Sequence, residues 1–503
     1  MGVQSGRRQR LGARAHEARR SAVSGVAGQV PVETFDVVVA GGGIAGIAAA
    51  VAAREAGART LLVEKAPRER RGGNTRYSDA QIRYPHEADE YSPVSTTRQE
   101  FYDDFVRVTH GKAKPELVAA MADDAAEGVA WLTERGVRWS LGFPHTATYR
   151  RRPEGGGLGL LDALYAHAER IGVAVRYDTA ARELRQDVAG RVTALRAIGP
   201  DGYVDYAARG GVVLATGSYS ASPEQRVRYL GPWAEGLIVR GTRYDTGEGL
   251  AMALASGAKS AGQWGDYHSA VLDAASPPLE GGVTAIYIYQ LGIIVDGEGR
   301  RFLDEGIDYR DNTYVAFSKA MVRRGGTCWC ILDAQARRDP AWERGVRTPT
   351  PPREANTIAE LAARMGVPAD TLVATVRDYN AAVDRATPFD PDRRDGKAAR
   401  GPALGGQPPK SNWALPIEEP PFLAFGVTGG ITFAFGGLAT DATARVLDTR
   451  DQAISGLYAA GETQGEVFVD NYPGATSVLR GLVFGRRAGR DAARVALTAV
   501  GAV

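Results

Sequence analysis

Apolar residues recur along this chain in three rhythms. Val37–Val39, Leu61–Val63, Gly211–Leu214 and Leu457–Ala460 are unbroken apolar runs, the pattern of strands buried on both faces in a parallel sheet. A spacing of three or four marks helices. Phe101, Phe105 and Val106, then Leu117, Met121, Ala125, Val129 and Leu132, predict two amphipathic helices across 97–137 that stop at Gly136, and Leu158–Arg170 predicts another. From Val173 the pattern alternates through VAVRYDT, ARELRQD and RVTALRAIGPDGYVDYAARGGVVL, with Asp201-Gly202 as a hairpin turn. This predicts an antiparallel meander leading into the run at Gly211. Residues 263–415 differ in kind, with capped helices alternating with short strands. Thr357-x-x-Glu360 is a capping box with Leu361 and Met365 behind it and Gly366 at its end, and Leu372, Val376 and Tyr379 stripe the next helix. The chain then returns to a strand and a helix opening at Ser477, with Val478, Leu479, Leu482, Val483 and Phe484 apolar. The expected architecture is an α/β domain built from 34–262 and 416–503. An α+β domain, 263–415, interrupts it, and 1–33 forms a disordered basic extension.

The link between the first two strands carries the first chemistry. Gly41-x-Gly43-x-x-Gly46 follows the valine run at once, and the helix after it is mostly alanine (Ala45, Ala48, Ala49, Ala50, Ala52, Ala53) up to Gly57. The first glycine permits a tight turn, the second lets backbone approach a pyrophosphate, and the third lets helix pack on strand with its positive end at the phosphate. Glu64 closes the second strand about 20 residues on, where an acid takes a ribose hydroxyl. With strand, helix, second strand and acid in register, the unit reads as dinucleotide-binding. The helix start at Ser477 is open to two readings, a second ligand-facing N-terminus or an ordinary beginning.

Composition narrows the remainder. A chain of 503 residues, 44% hydrophobic, can bury a large core. Its formal net charge of +2 gives no bulk attraction to nucleic acid. The two cysteines, Cys328 and Cys330, leave no disulfide framework, no CxxCH haem site and no four-cysteine cluster, and no metal site is expected. Their alternate spacing in TCWCIL puts both on one face of a strand, most simply a buried one. No apolar stretch approaches the ~20 residues of a membrane span. The arginines of the first thirty-odd residues (Arg7, Arg8, Arg10, Arg14, Arg19, Arg20) have no apolar segment behind them, so a cytoplasmic protein is expected.

Taken together, the glycine fingerprint, Gly72-Gly73-Asn74-Thr75, Ala215-Thr216-Gly217 and GLYAAGE…FGRRAG near the C-terminus resemble the fumarate reductase/succinate dehydrogenase flavoprotein superfamily, from about Phe35 to the end. The resemblance implies a Rossmann-like FAD-binding domain of the GR2 type, with a β-meander, interrupted by a capping domain. It implies FAD held by Gly41, Gly43, Ile44, Ala45 and Gly46 at the pyrophosphate and by Glu64 and Lys65 at the adenosine ribose. Asn74, Thr75 and Ser78 would lie along the isoalloxazine, and Gly72 and Gly73 are cofactor-binding positions in the same loop. Ala181, Ala215, Thr216 and Gly217 belong to the same envelope, with Gly461 and Glu462 near the ribityl chain and Ser477 and Leu479 at the pyrimidine edge. Members with covalent flavin carry a histidine in the GGNT region, and Gly72–Ser78 has none, which implies non-covalent FAD.

The segment GRRFLDEGIDYRDNTY resembles the family's G-x-R-F-V-x-E…R-D stretch, whose arginine moves the proton; here that is Arg310. An arginine pKa above about 12 makes it an unusual acid. It can serve a carbanion-like centre if carboxylates reload it. The alternative from the residues alone is a simple ion pair with Asp304, Glu305, Asp308 or Asp311. His268, in QWGDYHSAV, stands where the superfamily has a substrate-binding histidine, or is structural.

The departures matter as much. Fumarate reductases grip substrate carboxylates with a histidine before a late GG and an arginine in a late N-R-L-G-G turn. This chain has Phe433 and Phe435 in GITFAFGG, and Tyr472 in Asn471-Tyr472-Pro473-Gly474. Fumarate and succinate are therefore not the expected substrates. The same segments resemble the tricarballylate dehydrogenase branch, and YPG also resembles 3-ketosteroid dehydrogenases, in which the tyrosine holds a carbonyl. The expectation is oxidation of CH–CH, or reduction of the alkene, beside a carbonyl or carboxylate. The proton would pass through Arg310, helped by Tyr309 or Tyr472, and electrons would go to an acceptor the sequence does not identify. A larger enone or steroid-like substrate, an oxidase, and a flavin-binding protein without turnover remain as alternatives.

Overall fold

A computed structural model describes residues 30–500 apart from 92–93, 142–149, 283 and 341; of the expected basic extension, 1–29 lies outside these residues, and Val32 and Glu33 belong instead to the first strand, paired with Asp205 and Tyr206. In chain order the elements that build the site are β1 (Val32–Ala40), α1 (Ile44–Glu55), β2 (Thr60–Val63), β3 (Ala174–Arg176), β4 (Ala180–Gln186), β5 (Val192–Gly199) and β6 (Gly202–Leu214). Then come β7 (Tyr267–Asp273), α2 (Arg310–Arg323), β8 (Cys328–Leu332), β9 (Phe422–Ala434), β10 (Arg445–Leu447), β11 (Ala453–Ala459) and α3 (Ser477–Val500).

The first sheet runs β10-β11-β6-β1-β2-β3. Its neighbours are parallel except β10 and β11. The central strand β1 is enclosed on both faces, with Val37, Val38 and Val39 at 0% exposure, which is why its apolar run shows no alternation. β4, β5 and β6 form the expected meander, its hairpin closing with Gly199 opposite Gly202. The alanine content of α1 has a packing reason. α3 lies across it so closely that a Cβ on Gly485 would stand 2.2 Å from the Ala45 carbonyl oxygen, and one on Gly489 2.1 Å from that of Ala49.

The second sheet is organised on β9. It pairs antiparallel with β7 and with β8, and parallel with the short strand Ile238–Val239. The expected division at 415 thus falls one strand early, because β9 belongs to the inserted sheet although it lies in the segment assigned to the first domain. A run such as FLAFGVTGGITFA has no composition shift to mark that change. Cys328 and Cys330 are buried on β8, and burial pushes both thiols up to about 12. They are core residues.

Candidate active site

A cleft open to solvent runs between the two sheets. Its first end is built by the β1–α1 turn. Gly41 has φ +100°, and a Cβ there would meet the Ala215 carbonyl oxygen at 2.2 Å, so only glycine fits. Gly41–Ala45, Glu64, Lys65, Thr179, Ala181 and Ala215–Gly217 line this end. The Glu64 carboxylate accepts from Gly42 N at 2.7 Å and from Ala66 N at 2.8 Å, so it braces the glycine turn, and burial raises its pKa. Lys65 pairs with Glu248 at 2.9 Å, and Thr246 bridges the two. Glu248 lines the same end and was not anticipated.

In the middle, Asn74 is fixed by three bonds. Its Nδ2 donates to the Thr432 carbonyl at 3.0 Å and to Glu462 Oε2 at 2.7 Å, and its Oδ1 accepts from Thr242 N at 2.8 Å. Thr75 Oγ1 accepts from Ile44 N at 3.1 Å, tying this loop to the start of α1. Ser78 caps the same turn, donating to the Thr75 carbonyl and accepting from Ala80 N. Burial pushes Glu462 up to about 8, with neighbouring Asp245 adding to the rise. Asp245 is likewise raised by burial. Its Oδ2 accepts from Ser218 and Ser220, while its buried Oδ1 has no hydrogen-bond partner. An orphaned acceptor facing the cleft beside a second carboxyl fits a hydroxyl-bearing chain between two glycine turns.

The far end is aromatic and cationic. His268, on β7, stacks on Phe433 of β9 with centroids 4.8 Å apart and planes 5° from parallel, and its Nε2 shares a 2.8 Å hydrogen bond with the Tyr314 hydroxyl. Burial holds its pKa well below the usual histidine range, and the cations of Arg240, Lys319 and Arg480 act in the same sense, so the imidazole is neutral. Arg310 opens α2 and pairs with Asp311 at 3.1 Å, its guanidinium 4.7 Å over the Tyr287 ring. α2 is moored to the Asp470–Gly474 turn. Asn471 Nδ2 donates to the Asn312 carbonyl at 3.0 Å, Gly474 N to that of Asp311 at 3.1 Å, and Lys319 Nζ to that of Asp470 at 3.2 Å. A Cβ on Gly474 would lie 2.6 Å from Asp311 Cβ, so this glycine permits the approach.

Arg310, His268 and Tyr472 therefore line one end of the cleft with most of the expected cofactor residues. Four expected positions do not line it. Tyr309 precedes α2 and packs 5.9 Å from Trp413, away from Arg310. Leu479 turns into the core at 0% exposure. Gly46 serves the α1–β1 contact, where a Cβ would be 1.8 Å from the Gly41 carbonyl oxygen, and Gly72 adjoins Leu161. Tyr472 has a second occupation. Its hydroxyl accepts from Ser477 N at 2.9 Å and Thr476 N at 3.1 Å and lies 3.1 Å from Ser477 Oγ, capping α3. Tyr287, Tyr314, Arg240 and Asp245 also line the cleft. Sequence reasoning missed all four: Tyr287, Arg240 and Asp245 belong to no local motif, and Tyr314 closes the GRRFLDEGIDYRDNTY segment without being given a role.

A parallel sheet with a glycine turn at a helix start, a second sheet over it and a cleft lined from both define a flavoprotein oxidoreductase. The chain belongs to the FAD binding domain family, whose profile matches residues 36–479. NADH:fumarate oxidoreductase of Klebsiella pneumoniae (strain 342) is 27% identical over 92% of this chain and 48% of that protein, so the chain spans about half its length. Among solved structures, the open conformation of a flavocytochrome c3 fumarate reductase matches with TM-score 0.74 and 27% identity, over 96% of this chain and 81% of the other. A 3-ketosteroid-Δ4-(5α)-dehydrogenase from Rhodococcus jostii RHA1, solved with 4-androstene-3,17-dione, matches with TM-score 0.70 and 25% identity, over 94% and 98%. The expected superfamily, the cofactor FAD and enzymatic redox function are thereby borne out. The tricarballylate branch rests on the sequence motifs alone. Among the described residues no helix is long and apolar enough to cross a membrane.

Proposed function

We propose that the chain interconverts a saturated CH–CH unit and the corresponding alkene beside a carbonyl or carboxylate, with non-covalent FAD. The observation that carries this reading is Arg310, a cation at the aromatic end of the FAD cleft, paired with Asp311 and seated over Tyr287. When bound, FAD supplies the two-electron acceptor or donor at its N5. The proton moves at the Arg310 guanidinium, whose charge also stabilises the enolate character that develops beside the carbonyl. Carbonyl activation is required because an unactivated C–H is far too weak an acid for any side chain. Asp311 holds the guanidinium toward the cleft. Neutral His268 and the Tyr314 hydroxyl offer uncharged polar contacts to the substrate. Closure of the second sheet over a bound substrate would exclude water from the reacting carbons.

The aromatic lining, Tyr287, Tyr314, Phe433 and Tyr472, favours a second reading, an enone or steroid-like substrate, which the ketosteroid dehydrogenase neighbour also supports. In both readings Arg310→Ala retains its yellow flavin and loses turnover by about 10²–10⁴-fold, the range for removing a general acid or base. Near-normal turnover with FAD in place would remove Arg310 from the chemistry.

A further inference from the structure

Arg240 is a second cation at the aromatic end of the cleft, and nothing above assigns it a task. It is held in place through its backbone. Ile238–Val239 pairs with Gly430–Ile431 of β9, Arg240 N donates to the Ile431 carbonyl at 2.8 Å, and Gly281 N donates to that of Val239 at 3.1 Å. Its side chain lines the cleft, and Nε is buried without a hydrogen-bond partner. Among the described residues it makes no ion pair.

The acids nearby are already answered. Asp79, which lines the same end, pairs with Arg347 and with Arg152, the latter at 3.5 Å. Asp311 pairs with Arg310 at 3.1 Å. His268 is neutral, and the other polar groups facing Arg240 are the phenols of Tyr287, Tyr314 and Tyr472. A largely desolvated guanidinium with unmade bonds is costly unless an anion completes it. A planar fork of donors matches the two oxygens of a carboxylate.

Resting on the proposed reaction, we infer that Arg240 is the substrate's anion grip, and that the substrate carries a carboxylate on a flat or cyclic body. The second part follows from the surroundings. Tyr287, Tyr314 and Phe433 present rings rather than further charged donors, and Arg310 is committed to Asp311. One free guanidinium among aromatic walls selects one carboxylate and an apolar remainder.

The test uses oxidised, FAD-loaded full-length protein and two non-reacting probes, benzoate and its uncharged counterpart benzamide, followed by perturbation of the flavin visible spectrum. Benzoate is expected to bind wild type saturably and at least tenfold more tightly than benzamide. Arg240→Gln should retain FAD, weaken benzoate at least tenfold and leave benzamide unchanged, and Arg240→Lys should recover part of the loss. Failure of benzoate to bind wild type, equal binding of the two probes, or unchanged benzoate binding in Arg240→Gln would each overturn the inference. Loss of FAD from both variants would also overturn it, by assigning Arg240 to the cofactor. No turnover is involved, so a failure of the proposed reaction shows separately, in Arg310→Ala.

Discussion

Tyr472 gives the sharpest contrast between two roles, and Tyr472→Phe separates them. The hydroxyl accepts from two backbone N–H groups at the start of α3, Thr476 at 3.1 Å and Ser477 at 2.9 Å. Tyr472 is 3% exposed, so water does not readily replace the oxygen. A buried donor left unmade costs about 1–3 kcal/mol, and loss of a helix cap about 1 kcal/mol. Ser477 Oγ, 3.1 Å from the hydroxyl, can turn to one of the two freed donors, which leaves one donor unmade and the cap lost. The expected loss is therefore about 2–4 kcal/mol. Unfolding entropy for a chain of this size amounts to roughly 1 kcal/mol per degree near Tm, so Tm should fall by about 2–4 °C. Because Ser477, Val478 and Gly481 line the cleft, FAD should also be held less tightly. The assay is thermal unfolding by flavin fluorescence and by circular dichroism, with the KM of any substrate measured alongside. An unchanged Tm and FAD affinity with only a raised KM would refute the capping argument and return Tyr472 to the substrate.

The remaining predictions concern the cofactor half of the cleft. Gly41→Ala places a Cβ 2.2 Å from the Ala215 carbonyl oxygen at φ +100°; it should purify with little FAD, read as the flavin-to-protein ratio. Burial pushes Glu462 up to about 8 from an ordinary value near 4.5, so between those pH values the folded state holds a proton that the unfolded state releases. Stability of the FAD-free protein should then fall as pH rises through that window. Glu462→Gln should flatten the decline, as checked by denaturant midpoints across pH. Gly474→Ala meets Asp311 at 2.6 Å and should shift α2; turnover should fall more than FAD affinity.

The two halves of the site differed in how far they could be read from the residues. The β1–α1–β2 unit was legible because its chemistry is local: Gly41, Gly43, Gly46 and Glu64 sit in one short stretch whose spacing carries the geometry. Arg310 was legible through the motif around it. Tyr309 misled because adjacent residues at a helix start project in different directions, and only Arg310 lines the cleft. Leu479 misled for the same reason, since one residue along α3 moves a side chain about 100° round the axis, here into the core. Arg240 and Tyr287 could not be found locally. Each is brought to the cleft by a strand pairing with a distant segment, Ile238–Val239 with Gly430–Ile431 and Ala285–Ile286 with Val346–Arg347, and neither has a periodic pattern of its own. The 415 boundary failed for a related cause, because β9 is apolar on both faces and reads alike in either sheet.

The central claim is that this cleft moves a hydride and a proton across a carbon–carbon bond activated by a neighbouring carbonyl. It is tested most directly by photoreducing the FAD-loaded protein without oxygen and mixing it with a panel of α,β-unsaturated carboxylic acids and enones, following return of the oxidised flavin spectrum. Wild type should be reoxidised rapidly by at least one member, and Arg310→Ala, equally reduced, should not be. Failure of every alkene to reoxidise the wild-type flavin, or equal reoxidation of both proteins, would contradict it.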